Sequence, residues 1–275
     1  MSKISTRTRI AVISSLLTVA YVLLQQRDFR VLLDIDFPFD PIKPVLLAIL
    51  IYLGAYWALF FKVRGERFIT ILLFPAIGVF SISLFAELII LTVFSELGQL
   101  SLILVSAVFF WLFSYIILLT VNILNAAYNN PIPLLQAARA AQFVLTLVIS
   151  YFFFFLLFSN DIFLPFRLIA IHLISGLLVY ITLWSLDLFF YQRLTVSLAM
   201  GTITSFAAAI VSIWPVSAPY LALAQSIVLY ICLGISLEVR DIISKWIWIE
   251  YLSLFVLIVI MLALVAEWGI NGTLL

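Results

Sequence analysis

Long apolar stretches that are almost free of charged residues recur nine times along this chain. An α-helix needs about 20 mostly apolar residues to cross the hydrocarbon core of a bilayer. Barrel strands span it in about 10 residues and alternate apolar with polar positions, so unbroken runs favour helices. The pattern predicts an all-α fold: a polytopic integral membrane helical bundle with about nine transmembrane helices.

The composition excludes a soluble domain of ordinary type. Of the 275 residues, 66% are apolar and only 10% are charged, whereas soluble domains carry about 25% charged residues. A water-soluble fold of this size cannot bury so much apolar surface. Membrane lipids are therefore the expected partners, and the net charge of +1 predicts no binding to nucleic acid.

The nine spans are predicted to form a single multi-pass transmembrane domain over residues 1–275. No small-residue cleavage site follows the first apolar run, so an uncleaved first span is expected. The expected bounds are Ile10–Leu24, Val45–Phe61, Phe68–Phe94, Leu100–Ile123, Ala140–Phe158, Leu168–Asp187, Thr195–Trp214, Tyr220–Leu237 and Tyr251–Ala266.

The basic residues predict an orientation. Counted over alternate connections, ten of the 14 Lys and Arg residues fall on one side of the membrane. Short basic connections stay in the cytoplasm, which predicts a cytoplasmic N-terminus and an external C-terminus. The expected location is the cytoplasmic membrane of a bacterium or an archaeon.

Two stripes of small residues predict where helices approach closely, because small side chains let helix backbones touch in a membrane. The stripes lie in the seventh and eighth spans, which a short connection joins. We therefore expect these two spans to form the tightest antiparallel hairpin. The residues are Gly201, Ser205 and Ala209 in the seventh span and Ala218, Ala222 and Ser226 near the eighth.

The polar segment from Glu238 to Glu250 separates the last two spans. Val239, Trp246 and Ile249 belong to an apolar face with helical spacing, and Asp241 and Lys245 form a pair on the other face. This pattern predicts a short helix on the cytoplasmic surface. The alternative is a polar continuation of the eighth span.

The first outer connection is acidic and contains Asp34, Asp36 and Asp40. Carboxylate oxygens are the ligands that Mg²⁺ and Ca²⁺ prefer, so the three residues form a candidate metal site. The acidic pair resembles that of the membrane-embedded sugar transferases that use polyprenyl-phosphate donors. That resemblance implies a metal-dependent enzyme acting on a lipid-linked substrate, whereas the alternative is a solvated acidic loop.

A second candidate site lies at the cytoplasmic end of the fourth and fifth spans. Asparagines at i, i+3 and i+7 share one face of a helix, and polar residues follow after a turn. They predict a polar pocket for a lipid headgroup or a small solute, and the alternative is hydrogen bonding between helices. The pocket residues are Asn122, Asn125, Asn129, Gln136 and Arg139.

Three ionisable residues lie inside or at the edge of predicted spans: His172, Asp187 and Glu87. An ionisable group within a membrane is a functional candidate, although a position near the headgroups explains each of them as well. The chain has one cysteine and one histidine, which excludes an intrachain disulfide and a metal site built on several of either residue. The sequence identifies no cofactor.

Three functions remain open. The favoured one is a non-enzymatic membrane component or subunit, with membrane protein partners or a homo-oligomer as its setting. The second is a transporter or permease for a small solute or lipid. The third is the metal-dependent enzyme that uses the acidic first outer loop.

Overall fold

The computed structural model describes residues 5–25, 41–59, 66–92, 96–129, 134–184, 186, 188–237 and 245–266. These residues form nine α-helices and no β-strand, which confirms the predicted all-α fold. In chain order the helices are α1 (Thr6–Gln25), α2 (Ile42–Ala58), α3 (Glu66–Thr92), α4 (Glu96–Asn129), α5 (Leu135–Ser159), α6 (Leu164–Leu183), α7 (Phe190–Val211), α8 (Ala218–Leu237) and α9 (Lys245–Val265).

Eight of these helices are long and apolar enough to cross a membrane. The remaining one, α2, is apolar but has 17 residues. The chain is thus a multi-pass integral membrane protein, and every predicted span overlaps a described helix. The largest difference in length is at α4, whose 34 residues extend to about 51 Å at 1.5 Å per residue, longer than the hydrocarbon core.

Prolines mark several helix starts. Pro44, Pro165 and Pro219 lie in the first turns of α2, α6 and α8, where the missing N–H would have had no partner within the helix. Pro75 is different because it lies inside α3, and the helix continues through it. Membrane helices tolerate such a proline where neighbouring groups satisfy the freed carbonyl.

The described residues divide into two compact units, Met1–Ile149 and Ser150–Leu275. Residues 135–149 of α5 belong to the first unit, and residues 150–159 belong to the second. In the first unit, α1 and α3 each pack against both α2 and α4. Fully buried side chains such as Tyr21, Ile51, Leu72 and Ile117 fill this four-helix arrangement. That residues 1–275 act as one domain stays a prediction.

Two contacts show how α1 lies on α2. An ideal Cβ at Gly54 would lie 2.9 Å from Cγ2 of Ile13, so the missing side chain lets α1 approach. Arg9 donates from Nη1 to the carbonyl oxygen of Trp57 at 3.4 Å, and its guanidinium carbon lies 4.8 Å from the centre of the Trp57 ring. The start of α1 is therefore held to the end of α2, as two antiparallel spans require.

In the second unit the closest described approach is between α6 and α7. An ideal Cβ at Gly201 would lie 2.7 Å from the carbonyl oxygen of His172 and 3.2 Å from Cα of Gly176. Ser205 donates from Oγ to the carbonyl oxygen of Leu168 at 2.9 Å. The prediction that the seventh and eighth spans form the tightest pair is therefore wrong.

The physical reason for that error is the direction of the small-residue stripe. Gly201 and Ser205 do mediate close packing, but they face α6 rather than α8. The contact of α7 with α8 uses Thr204 instead, whose carbonyl oxygen accepts from Gln225 and whose hydroxyl contacts Cys232. Spacing identifies a small face on a helix but does not identify the neighbour that packs on it.

The last helix also differs from its prediction. Residues 245–250 begin α9 and continue directly into the final span, so neither a separate surface helix nor an extension of α8 accounts for them. Residues 238–244 lie outside the described part of the chain. Tyr230 of α8 donates its hydroxyl to Oε1 of Glu250 at 2.6 Å, and the Tyr251 hydroxyl lies over Gly234.

An apolar cluster joins the other ends of α8 and α9. It also includes the last residue of α7 and aromatic side chains at its edge, Phe158 and Trp214. Burial of this cluster complements the polar contact between Tyr230 and Glu250. Its buried members are Val211, Leu221, Ala224, Ile258 and Leu262.

Candidate functional site

A buried ion pair joins α2 to α3 in the first unit. Nζ of Lys43 lies 3.4 Å from Oε1 of Glu87, and the two side chains are only 9% and 5% exposed. Lys43 lies in the first turn of α2 and Glu87 lies near the end of α3. A charged side chain at the centre of a membrane costs about 2.5–3.5 kcal/mol on insertion scales, and pairing reduces that cost.

A second polar contact joins α1 to α4 in the same unit. Tyr21 donates its hydroxyl to Oγ of Ser106 at 2.9 Å, and its ring stacks on Phe110 with the ring centres 4.6 Å apart. Glu87 is within electrostatic reach of the Tyr21 hydroxyl. We call Tyr21, Lys43, Glu87 and Ser106 the polar layer, since together they bring one residue from each of α1 to α4.

The polar layer has a definite position along the helices. Tyr21 lies near the end of α1, Lys43 near the start of α2, Glu87 near the end of α3, and Ser106 in the first third of α4. Antiparallel spans place these segments at one end of the four helices, which the charge pattern predicts to be the outer end. Such a layer can hold helices together.

The predicted cytoplasmic pocket is described in part. Asn122 and Asn125 of α4 are half-buried, and the buried Oδ1 of Asn125 has no hydrogen-bond partner among the described residues. Asn129 is the last residue of α4, and Gln136 and Arg139 are exposed near the start of α5. A pocket shared by these five residues stays a prediction.

His172 lies in α6 at its closest approach to α7. The side chain is half-buried, and Nδ1 is 3.5 Å from Oγ1 of Thr202. The carbonyl of the same residue faces Gly201, so this position is part of the packing between two helices. Asp187 lies outside the described residues, and its role as an ionisable group at the end of the span stays a prediction.

The candidate metal residues Asp34, Asp36 and Asp40 also lie outside the described residues. Within the part of the chain that the structure describes, no group of three His, Cys, Asp or Glu residues could hold a metal ion. The metal site therefore stays a prediction from the sequence.

The second unit has a polar centre of its own. Gln225 is fully buried and donates from Nε2 to the carbonyl oxygen of Thr204 at 2.6 Å. Thr204 donates its hydroxyl to the carbonyl of Met200 at 2.6 Å and contacts Sγ of Cys232 at 3.7 Å. The carbonyl oxygen Oε1 of Gln225 is buried, and no hydrogen bond reaches it from the part of the chain that the structure describes.

The chain matches no family model, no curated protein and no solved structure.

The sequence predicts Glu87 to be an ionisable residue near the headgroups, and it indicates for Lys43 only a charge in the first outer connection. The structure brings the two together. A signal for the pair was present, because the start of the second span and the end of the third lie on the same side of any antiparallel hairpin. Tyr21 and Ser106 carried no comparable signal, since neither is charged and helices α1 and α4 are far apart in the chain.

Proposed function

We propose that this protein is a non-enzymatic, multi-pass membrane component, a scaffold or subunit that associates with other membrane helices. Its partners are membrane lipids together with another membrane protein or further copies of the same chain. We place it in the cytoplasmic membrane of a bacterium or an archaeon, oriented with a cytoplasmic N-terminus by its basic residues.

One observation carries this proposal: six buried serine and threonine hydroxyl groups of the described helices donate to carbonyl oxygens of their own helix, one turn earlier. A hydroxyl bonded in this way has its donor satisfied within its own helix, as hydrocarbon surroundings require. Such a bond does not orient the hydroxyl toward a substrate. The residues are Ser114, Thr146, Thr182, Thr204, Ser226 and Ser236.

The larger polar groups act between helices. Lys43 pairs with Glu87 across α2 and α3, and Gln225 links α8 to the backbone of α7. Polar contacts of this kind hold membrane helices together and contribute about 0.6–2 kcal/mol each. Helix association therefore accounts for them without any chemistry.

A different observation favours a second candidate, a permease for a small solute. Within the described ranges, the buried atoms Oδ1 of Asn125 and Oε1 of Gln225 have no hydrogen-bond partner. Buried polar atoms without a partner are uncommon in native proteins, and solute pathways through membranes are lined by polar groups.

Two measurements on the full chain separate these functions. In the first, crosslinking in native membranes should give a stoichiometric species larger than the monomer. In the second, liposomes that contain the purified chain should swell in urea or glycerol gradients no faster than empty liposomes. A chain that remains monomeric in its native membrane would contradict the proposal. Faster swelling that Asn125→Leu or Gln225→Met abolishes would instead support the permease.

A further inference from the structure

A guanidinium group is held at one end of the second unit, where a short connection joins α5 to α6. Arg167, in the first turn of α6, donates from Nη2 to the carbonyl oxygen of Asn160 at 3.2 Å. Its guanidinium carbon lies 5.6 Å from the centre of the Phe158 ring. The cation is therefore fixed by a backbone acceptor and by the face of an aromatic ring.

The two groups that hold Arg167 are themselves held in place. Asn160 donates from Nδ2 to the carbonyl oxygen of Leu156 at 2.7 Å, and its own carbonyl oxygen also accepts from the backbone N–H of Ile162 at 2.8 Å. Phe158 packs against the apolar cluster of α8 and α9. Because the guanidinium already has a defined position, a ligand that binds it requires little further ordering of the side chain.

The charge of Arg167 has no counter-charge among the described residues. The side chain is half-buried, and its Nε is buried without a hydrogen-bond partner in the described ranges. Nη1 is not buried and forms no hydrogen bond to a described residue. Asp161 of the same connection is exposed and does not pair with Arg167. A partly buried cation is costly without an anion beside it, so an external anion would stabilise this arrangement.

The position of Arg167 in the membrane indicates the source of that anion. A non-helical connection between two spans lies at the membrane surface, because lipid-exposed irregular backbone is not tolerated in hydrocarbon. The polar headgroups occupy this level. Phe163 and Phe166, on either side of the start of α6, are 69% and 66% exposed, and their ring centres are 6.0 Å apart. A phospholipid carries both a phosphate for the guanidinium and acyl chains for these exposed rings.

We propose that Arg167 binds the phosphate group of a membrane phospholipid, with the acyl chains of that lipid against Phe163 and Phe166. The fixed guanidinium, its missing counter-charge among the described residues and the exposed rings beside it carry this proposal. Guanidinium and phosphate form strong charge-assisted hydrogen bonds. The proposal assigns a site to one of the lipid contacts of the proposed function, and it does not depend on the role as a scaffold or subunit.

Native mass spectrometry of the purified full chain in dodecyl maltoside tests the ligand class. The probes are dioleoylphosphatidylglycerol, dioleoylglycerol, which has the same chains without the phosphate, and inorganic phosphate. The tightest site should bind dioleoylphosphatidylglycerol at least about tenfold more tightly than dioleoylglycerol. Inorganic phosphate should not displace the bound lipid, because it lacks the acyl chains.

Variants of Arg167 provide the second measurement. Arg167→Gln should weaken binding of dioleoylphosphatidylglycerol at the tightest site by about tenfold. Arg167→Lys keeps the charge but loses the planar donor group, so it should weaken binding by about threefold, and it replaces the glutamine variant if that one does not fold. Arg7→Gln is the matched control, because it removes the same charge from an exposed arginine of α1 and should leave this affinity unchanged.

Three results would overturn the proposal. The first is equal affinity for dioleoylphosphatidylglycerol and dioleoylglycerol, which would show that the phosphate is not recognised. The second is displacement of the lipid by inorganic phosphate, which would identify a free anion as the ligand. The third is an affinity for dioleoylphosphatidylglycerol that neither variant of Arg167 lowers relative to Arg7→Gln.

Discussion

The ammonium group of Lys43 lies 3.4 Å from a carboxylate oxygen of Glu87, and both side chains are buried. This contact joins the start of α2 to the end of α3. Because both charges are buried, the contact belongs to the packing of the first unit and not to its surface.

Removal of one member of this pair should be more damaging than removal of both. Glu87→Gln leaves a buried ammonium without this counter-charge, and we expect the free energy of unfolding to fall by about 3 kcal/mol or more. The double variant Lys43→Met with Glu87→Leu should be close to wild type, because an apolar pair needs no desolvation of charge. Reversible unfolding in mixed micelles measures the free energy of unfolding of the wild-type chain and of each variant.

The matched control for this experiment is Glu250→Gln. Glu250 also accepts a hydrogen bond, from Tyr230, but it is exposed. Its loss should cost less than about 1 kcal/mol. A double variant as unstable as Glu87→Gln alone would contradict the structural role of the pair.

A methyl group at Gly201 should separate α6 from α7. The added Cβ would meet backbone atoms of His172 and Gly176, which cannot rotate away as a side chain can. We expect Gly201→Ala to lower the free energy of unfolding by about 1–3 kcal/mol. Gly54→Ala is the control, because the added Cβ there meets the flexible side chain of Ile13. It should lower the free energy of unfolding by less than Gly201→Ala does. Equal decreases in the two variants would contradict close backbone packing at Gly201.

Gln225 should tolerate an apolar residue of similar size. Gln225→Met loses the bond to the Thr204 carbonyl but also removes a buried oxygen without a partner. We therefore expect a change within about 1 kcal/mol. Gln225→Ala leaves a cavity and should cost about 2 kcal/mol or more. Unfolding measurements in which the methionine variant is as unstable as the alanine variant would contradict this account.

The orientation is tested by reporters at the two ends of the chain. The distribution of Lys and Arg predicts a cytoplasmic N-terminus and an external C-terminus. A cytoplasm-dependent fluorescent reporter should therefore be active at the N-terminus and inactive at the C-terminus. Activity at both ends would show an even number of spans and would contradict the predicted topology.

The acidic outer loop is tested by metal binding. If Asp34 and Asp36 hold a hard cation, Asn at both positions should abolish the heat of Mg²⁺ or Ca²⁺ binding in titration calorimetry. Asp28→Asn is the control, since Asp28 lies in the same connection but outside the proposed ligand set. Equal binding by the wild-type chain and the double variant would remove the metal-dependent enzyme from consideration.

The spans themselves were predictable because each depends on a local property of the chain. A helix that crosses hydrocarbon must satisfy its backbone internally and remain apolar over its length, and both conditions are written in consecutive residues. The eighth span shows this well: Tyr220–Leu237 was expected and α8 runs from Ala218 to Leu237. The start of α9 is not predicted from the sequence because Lys245 and Glu250 place two charges in its first six residues, although the helix is continuous.

Contacts between helices were much less predictable. The stripe with Gly201 and Ser205 was correctly identified as a close-packing face, but its partner was α6 and not α8. The polar layer likewise depends on which helices become neighbours, since Tyr21 and Ser106 are 85 positions apart in the chain. Lipid tails are as apolar as the helices, so the apolar character of a face does not choose its neighbour.

By itself, the sequence determined that this protein resides in a membrane, roughly where its helices begin and end, and which of their faces are small or polar. The tertiary structure alone decided that Lys43 meets Glu87 and that Gly201 faces Gly176. The physical reason is that the transfer of a segment into hydrocarbon depends on its own residues, whereas helix pairing depends on the mutual fit of two surfaces far apart in the chain.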